Sequence, residues 1–182
     1  MVEIENRGRK KMDTACSCHV SEGDVIETMS EKVVDARKTI LNLLLSNHKT
    51  DCFSCAQNGR CKLQDYCVEY GVERTTYEGE MTEFPVDDSN PFFTYDPNLC
   101  ILCHRCVNTC NKVVGRGAID TMERGFESSV GTPFGVPIRK STCESCGNCV
   151  EACPTGALSS KRRKSFRPWQ IDKKVLTTCP HC

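Results

Sequence analysis

Cys100-Ile-Leu-Cys103-His-Arg-Cys106-Val-Asn-Thr-Cys110 and Cys143-Glu-Ser-Cys146-Gly-Asn-Cys149-Val-Glu-Ala-Cys153-Pro154 form the stretch from which the rest of the chain is read. Each run has the spacing C-x2-C-x2-C-x3-C. The runs superpose at an offset of 43 residues, and Val107 falls on Val150 beside all four cysteine pairs, so the stretch is an internal duplication. Three thiols two residues apart bend the backbone around one corner of an iron–sulfur cube, and the fourth ligand must come from elsewhere. Three residues further on, the last cysteine of each run turns toward the neighbouring cube.

This is the spacing of bacterial two-cluster ferredoxins, including the proline after the final cysteine. It assigns one 4Fe-4S cluster to Cys100, Cys103, Cys106 and Cys153, and a second to Cys143, Cys146, Cys149 and Cys110. Clusters with interlocked ligands sit close together, and closely spaced one-electron centres form a wire. The expected fold class is α+β: small cluster-organised modules that include a duplicated two-cluster ferredoxin-like domain.

Sixteen of the 182 residues are cysteine, a proportion that also suits a disulfide scaffold. The metal-ligand spacing and the lack of an apolar signal segment at the start favour metal sites in a reducing, cytoplasmic setting. Hydrophobic residues make up 38 % and are divided among short cysteine-rich stretches, so no single large core is expected. Modules below ~70–80 residues rarely draw more than ~3–5 kcal/mol from a core alone. Metal ligation supplies the remainder, and the metal-free chain is expected to be largely unfolded. With 24 Lys+Arg against 24 Asp+Glu, the charge favours neither nucleic acid nor an anionic membrane as partner. No apolar run approaches the ~18–20 residues needed to span a bilayer.

Outside the duplication the chain divides by pattern. Val2 and Ile4 alternate with Glu3 and Glu5, Asn6-Arg7-Gly8-Arg9 offers a turn, and Met12 to Cys16 is expected to return as a second strand. A chain that starts inside a strand suggests a missing upstream part. Ser30 caps a helix to about Ser46, with Val33, Ala36, Ile40, Leu41 and Leu44 on its apolar face and Glu31, Lys32, Arg37 and Lys38 opposite. His48-x3-Cys52-x2-Cys55-x5-Cys61 follows, four ligands in fourteen residues. Spacing alone leaves zinc and iron–sulfur open there. The neighbouring ferredoxin pair favours a third 4Fe-4S cluster whose imidazole ligand, being neutral, raises its potential. Cys67 reads as a spare buried thiol. Residues 73–98, with Glu78, Glu80, Glu83, Asp87, Asp88 and three prolines, read as a surface linker, and the glycine-rich segment between Cys110 and Cys143 as a short hairpin. Lys161-Arg-Arg-Lys164 reads as a solvated face. The final Cys179-Pro-His-Cys182 has no later ligands and looks cut off.

His48-x3-Cys52-x2-Cys55-x5-Cys61-Lys-Leu63-Gln64, together with Tyr95-Asp-Pro-Asn-Leu-Cys100-Ile-Leu-Cys103, resembles the N-terminal iron–sulfur region of NAD-dependent formate dehydrogenase alpha subunits. That region is shared with the large iron–sulfur subunit of NADH dehydrogenase and with iron-only hydrogenases. Lys174-Val-Leu-Thr-Thr-Cys179-Pro-His-Cys182 looks like the opening of the formate dehydrogenase molybdopterin domain, where further cysteines complete another 4Fe-4S cluster. By the same resemblance Cys16 looks like the fourth ligand of a plant-type 2Fe-2S domain. His104 stands where the family often has glycine, which puts a bulkier group beside the first ferredoxin site.

The resemblance implies four parts: residues 1–46, the end of a 2Fe-2S ferredoxin domain; 47–86, a 4Fe-4S domain with one His and three Cys ligands; 87–165, the two-cluster ferredoxin domain; and 166–182, the start of a molybdopterin-oxidoreductase domain. Three 4Fe-4S clusters are expected here. The sites of Cys16, Cys179 and Cys182 are incomplete without a longer parent, and molybdopterin is absent. The expected function is electron transfer between a metal–pterin formate/CO2 site and an NAD-linked diaphorase or a ferredoxin or hydrogenase subunit, with no catalysis by this chain alone. The alternatives are a fragment of an NADH dehydrogenase or iron-only hydrogenase subunit, or a zinc-binding interaction module.

Overall fold

The computed structural model describes residues 1–6, 8–162, 172–173 and 175–178. They group into two compact units, one made of Met1–Thr50 and Leu63–Thr82, the other of Asp51–Lys62 and the chain from Glu83 onward.

The first unit is a small antiparallel sheet with one long helix. Strand β1 (Val2–Asn6) is central, flanked by β2 (Arg9–Asp13) and β3 (Val25–Glu27). Alternation buries Val2 and Ile4. Asn6 pairs with Arg9, and Gly8, with φ of 76°, serves the tight turn that this register needs. The return strand therefore begins at Arg9 and ends at Asp13, earlier than the expected Met12–Cys16. Cys16 falls instead in a turn closed by Cys18 N–H donating to the Thr14 carbonyl at 3.1 Å.

Helix α1 (Glu31–Ser46) starts where expected, and the Ser30 hydroxyl accepts from Val33 N–H at 3.4 Å. Its buried stripe is Val33, Leu41 and Leu45, which leaves Ile40 exposed, contrary to the expected face. Arg37, expected among the solvent-facing charges, lies between Val33 and Leu41 on the buried stripe. Its guanidinium donates to the Tyr70 hydroxyl at 2.6 Å and to the Met1 carbonyl at 3.0 Å. A long side chain can bury its stem and still satisfy its head group, which a polar/apolar pattern does not register. After helix α2 (Lys62–Tyr70) the acidic stretch is held rather than loose: Thr76 N–H donates to Asn42 Oδ1 at 3.2 Å and Thr82 N–H to Asn47 Oδ1 at 2.8 Å.

The second unit has two short antiparallel ribbons. Strand β4 (Phe93–Tyr95) pairs with β7 (Leu158–Ser160), so Tyr95 faces Leu158, and β5 (Asp120–Met122) pairs with β6 (Ser129–Gly131). The β5–β6 ribbon is the expected hairpin between the two cysteine runs. Strand β4 lies inside the stretch read as linker; three residues are too few for a period-two signal. Phe93, Tyr95, Val107, Ile119, Val130, Ile138, Val150 and Leu158 form the core, and Cys100, Cys110, Cys143, Cys149 and Cys153 pack against its edge. The Tyr95 hydroxyl donates to the Val130 carbonyl at 2.6 Å, tying the two ribbons together.

Helices α3 (Arg105–Asn108) and α4 (Asn148–Ala152) repeat the duplication in space, each burying its valine, Val107 or Val150. Lys161 is exposed, as expected of a solvated face, but it is held in place. Its ammonium pairs with Asp88 at 2.8 Å and donates to the Asn90 carbonyl at 2.8 Å, while Arg162 lies over the Phe92 ring at 4.9 Å. The remainder of the basic run, Arg163 and Lys164, lies outside the described residues. Among the described residues no helix is long and apolar enough to cross a membrane.

Candidate metal centres

Both cysteine runs wind in the same unusual way. Leu102 and Ser145, 43 residues apart, take left-handed backbones with φ of 51° and 59°. His104 and Gly147, at the same offset, do so as well, with φ of 56° and 80°. Such conformations are uncommon outside glycine and persist where the surroundings demand them. Here they turn amides back onto sulfur: Leu102 N–H donates to Cys100 Sγ and Ser145 N–H to Cys143 Sγ, each at 3.4 Å. Donors aimed at sulfur favour a negatively charged thiolate.

Each run continues into its short helix, and there the halves exchange partners. In the first half, α3 passes into a π-helical turn, Thr109–Val113, which carries Cys110 away from Cys100, Cys103 and Cys106. Cys110 lines a cavity with Cys143, Cys146 and Cys149, among Val114, Ile119, Arg116 and Glu144. Ala118 N–H donates to Cys110 Sγ at 3.4 Å. Arg116 is held across this cavity by its 3.2 Å ion pair with Glu144 and by donating to the Thr142 carbonyl at 2.8 Å. In the second half, α4 ends at Cys153, which lines a cavity with Cys100, Cys103 and Cys106, among Tyr95, His104 and Thr155. The Thr155 hydroxyl donates to the Leu99 carbonyl at 2.8 Å and stands 3.8 Å from Cys153 Sγ. The structure thus brings together the two quartets of thiols that the spacing paired.

The electrostatics report the same grouping. Burial pushes the Cys106 thiol up to about 12, with the sulfurs of Cys100, Cys153 and Cys103 adding to it. Burial likewise pushes Cys149 up to about 12, reinforced by Cys143, Cys146 and Cys110. Cys100 is raised by burial too, partly offset by the Leu102 amide. Thiols crowded in this way cannot all ionise unless a cation neutralises them. Four sulfurs around one apolar cavity, with backbone donors aimed at them, suit the donor set of an iron–sulfur cluster. Among the described residues no three His, Cys, Asp or Glu side chains form a site for a single metal ion.

The third set is divided between the units. His48 is buried at the end of α1 in the first unit. Cys52, Cys55 and Cys61 lie in the second, in a loop where Asp51 accepts from Ser54 N–H at 3.4 Å and Asn58 N–H donates to the Cys55 carbonyl at 3.1 Å. The buried Cys61 is followed by Lys62, whose N–H donates to the Pro154 carbonyl at 2.9 Å, so this loop is stitched to the segment after Cys153. Cys67 is half-buried on α2. Cys16 is exposed, and Cys179 and Cys182 lie outside the described residues.

Several residues that shape these centres were not singled out by sequence reasoning. Arg116 and Thr155 sit in loops without a pattern of their own. Tyr95 was noticed only as part of a motif, whereas its place in the core and in the first cavity comes from pairing with Leu158. Leu102 and Ser145 had a usable signal, since they occupy equivalent positions in a duplicated run that forces an unusual backbone.

Comparison with known proteins agrees with the geometry. Residues 37–76 match the family described as NADH-ubiquinone oxidoreductase-G iron-sulfur binding region, and residues 90–159 match NADH-quinone oxidoreductase subunit 3, ferredoxin-like domain. The chain is 38 % identical over 159 residues to the NADP-reducing hydrogenase subunit HndD of Solidesulfovibrio fructosivorans, covering 87 % of this chain and 27 % of that one. It is 39 % identical over 182 residues to the NADPH-Fe(3+) oxidoreductase subunit alpha of Geobacter sulfurreducens, covering 100 % of this chain and 21 % of that protein. The fold resembles a chain in the crystal structure of an NAD+-reducing [NiFe]-hydrogenase in the H2-reduced state, with a TM-score of 0.81 and 25 % identity, covering 91 % of this chain and 70 % of that one. The chain therefore spans between a fifth and about a quarter of these curated relatives, and neither the matched families nor these relatives carry a formate dehydrogenase name. This chain is homologous to the iron–sulfur region shared by NADH-quinone oxidoreductase, hydrogenase and NADPH-Fe(3+) oxidoreductase subunits.

Proposed function

We propose that the chain is an electron-relay module with three 4Fe-4S clusters, working within a multi-subunit NAD(P)-linked oxidoreductase of the NADH-quinone oxidoreductase or hydrogenase kind. The observation that carries this reading is the exchange of Cys110 and Cys153 between two cavities that each hold three thiols of one run. When bound, the clusters supply one-electron redox chemistry. The chain's own residues do the rest. Leu102, Ser145 and Ala118 present amides to sulfur, the core residues exclude water from the inner side of each cavity, and Arg116 with Glu144 fixes charge at the second.

The proposed ligands are Cys100, Cys103, Cys106 and Cys153; Cys143, Cys146, Cys149 and Cys110; and His48, Cys52, Cys55 and Cys61. The four-part division at residues 46, 86 and 165 belongs to the same proposal, as do NAD-linked and hydrogenase-type subunits as partners. A formate dehydrogenase parent is a second reading, supported by Cys179-x2-Cys182. Formate-dependent reduction of the intact parent complex decides it.

The test is iron and acid-labile sulfide on protein purified without oxygen, with EPR after dithionite reduction. The expected result is about twelve iron per chain, four for each of three cubes, with interacting 4Fe-4S signals. Zinc in place of iron would leave a structural metal protein.

A further inference from the structure

His104 and Gly147 hold the same place in the two halves, each directly after the second cysteine of its run. Both have a left-handed backbone, with φ of 56° and 80°. Glycine takes that conformation freely, whereas a side chain there is strained. The first half nevertheless carries an imidazole. That ring lines the cavity of Cys100, Cys103, Cys106 and Cys153, and its Nε2 is buried with no hydrogen-bond partner among the described residues. The second cavity has only Gly147 at the corresponding point. At the first cysteine of each run the backbone donors are matched, Leu102 to Cys100 and Ser145 to Cys143, both at 3.4 Å. Strain and a buried nitrogen without a partner among the described residues are two separate costs at one residue, and a single hydrogen bond into the cavity accounts for both being kept.

We infer that His104 Nε2–H donates a hydrogen bond to a sulfur of the first ferredoxin site and raises its reduction potential. The inference rests on the proposed 4Fe-4S assignment of that site. Reduction adds negative charge to the sulfurs, and a fixed donor stabilises the reduced form more than the oxidised one. A neutral imidazole with its proton on Nε2 is sufficient. His104 is thus a positioning and tuning residue that separates two sites built from one duplicated sequence.

The experiment is an EPR-monitored redox titration of the full chain, purified with its clusters in the absence of oxygen. His104→Gly removes the donor and installs the residue that the other half already tolerates at this backbone angle, so folding is favoured. The midpoint of one ferredoxin-site cluster is expected to fall by a tenfold change in its reduction equilibrium, 59 mV for one electron, with the other unmoved. His104→Asn keeps an N–H donor and tolerates a left-handed backbone, and it should stay within threefold of the unsubstituted chain. An equal fall in both variants would assign the effect to lost bulk and overturn the hydrogen bond. With 15N-labelled histidine, pulsed EPR of the reduced protein should show, beside the stronger coupling of the proposed His48 ligand, a weak nitrogen coupling that His104→Gly alone abolishes. Midpoints that do not move in His104→Gly would overturn the inference alone. Absence of 4Fe-4S signals from the unsubstituted chain would overturn the cluster assignment and this inference with it.

Discussion

Cys55 Sγ and the backbone of Gly156 are so close that a β-carbon at residue 156 would stand 2.6 Å from the sulfur, with Leu99 Cδ1 at 3.2 Å. The glycine is needed for space, since its φ lies outside the left-handed region. Gly156→Ala must therefore displace the Cys52–Cys61 loop, at an overpacking cost of about 1–3 kcal/mol. The expected outcome is iron content falling by about four per chain, one cube, with the two ferredoxin-site signals retained. Unchanged iron and spectra would show that the loop absorbs the methyl group.

The exchange of cysteines makes a directional prediction. Cys110→Ser should give the spectrum of Cys143→Ser, its proposed co-ligand in the other half, and not that of Cys106→Ser, its neighbour on the same helical segment. Cys153→Ser should likewise match Cys103→Ser. EPR of the reduced variants reads this from which of the two interacting signals disappears. A Cys110→Ser variant that loses the same signal as Cys106→Ser would refute the interlocked assignment.

Loading should release protons and depend on pH. In the unfolded metal-free chain a cysteine has its ordinary pKa of about 8.5 and is mostly a thiol near neutral pH, and any folded fraction holds Cys106 and Cys149 as thiols more firmly, since burial pushes both up to about 12. Ligation needs thiolates, and raising pH toward 12 increases the thiolate fraction, so incorporation is favoured as pH rises. Reconstitution with ferrous iron and sulfide should therefore acidify a weakly buffered solution and go further at pH 8.5 than at pH 7 at equal reagent. A pH-independent yield would count against thiol ligation at these two residues.

Removing the metal should unfold the second unit. Its core is ringed by Cys100, Cys110, Cys143, Cys149 and Cys153, which without a cation become mutually repelling or protonated groups beside Phe93 and Leu158. Oxidative bleaching with a chelator present should abolish a cooperative thermal transition in near-UV circular dichroism. A bleached sample that still melts cooperatively would contradict this.

Tyr95→Phe keeps the ring and loses the hydroxyl that donates to the Val130 carbonyl at 2.6 Å. The carbonyl is left buried and unsatisfied, a loss of about 1–3 kcal/mol. For a unit of this size that lowers the melting temperature by about 4–8 °C per kcal/mol. Because Tyr95 also lines the first cavity, the iron content of the variant should be measured beside the melt and is expected to be unchanged.

What the sequence made legible follows from how local each signal was. The spacing could pair the cysteines because metal spacing is short-range and rigid, and Cys110 and Cys153 each line the cavity that holds the first three cysteines of the opposite run. Helix α1 was visible through Ser30 and a repeating apolar stripe. Ile40 and Arg37 were misread because the buried face was set by Leu45 and Tyr70, outside the apolar face assigned to the helix. Strands β3 and β4, three residues each, fell below any periodic signal, and β4 depends on pairing with a strand more than sixty residues away. The family resemblance located the iron–sulfur region but leaned on Cys179 and Cys182 for its finer choice of formate dehydrogenase, whereas the matches found are to NADH-quinone oxidoreductase families and to hydrogenase and NADPH-linked oxidoreductase subunits.

The crossing of Cys110 and Cys153 bears on ancestry. If each half donates one ligand to the other at equivalent positions, the relation between them is that of two copies facing each other across a two-fold axis. A single half, such as residues 93–122 or 129–160, holds three thiols of its own and a fourth aimed outward, and could complete a centre only by meeting a second copy of itself. The present chain is such a pair joined by the loop between β5 and β6. Fusion let the two faces diverge, with histidine at one and glycine at the other, which a dimer of identical chains could never do.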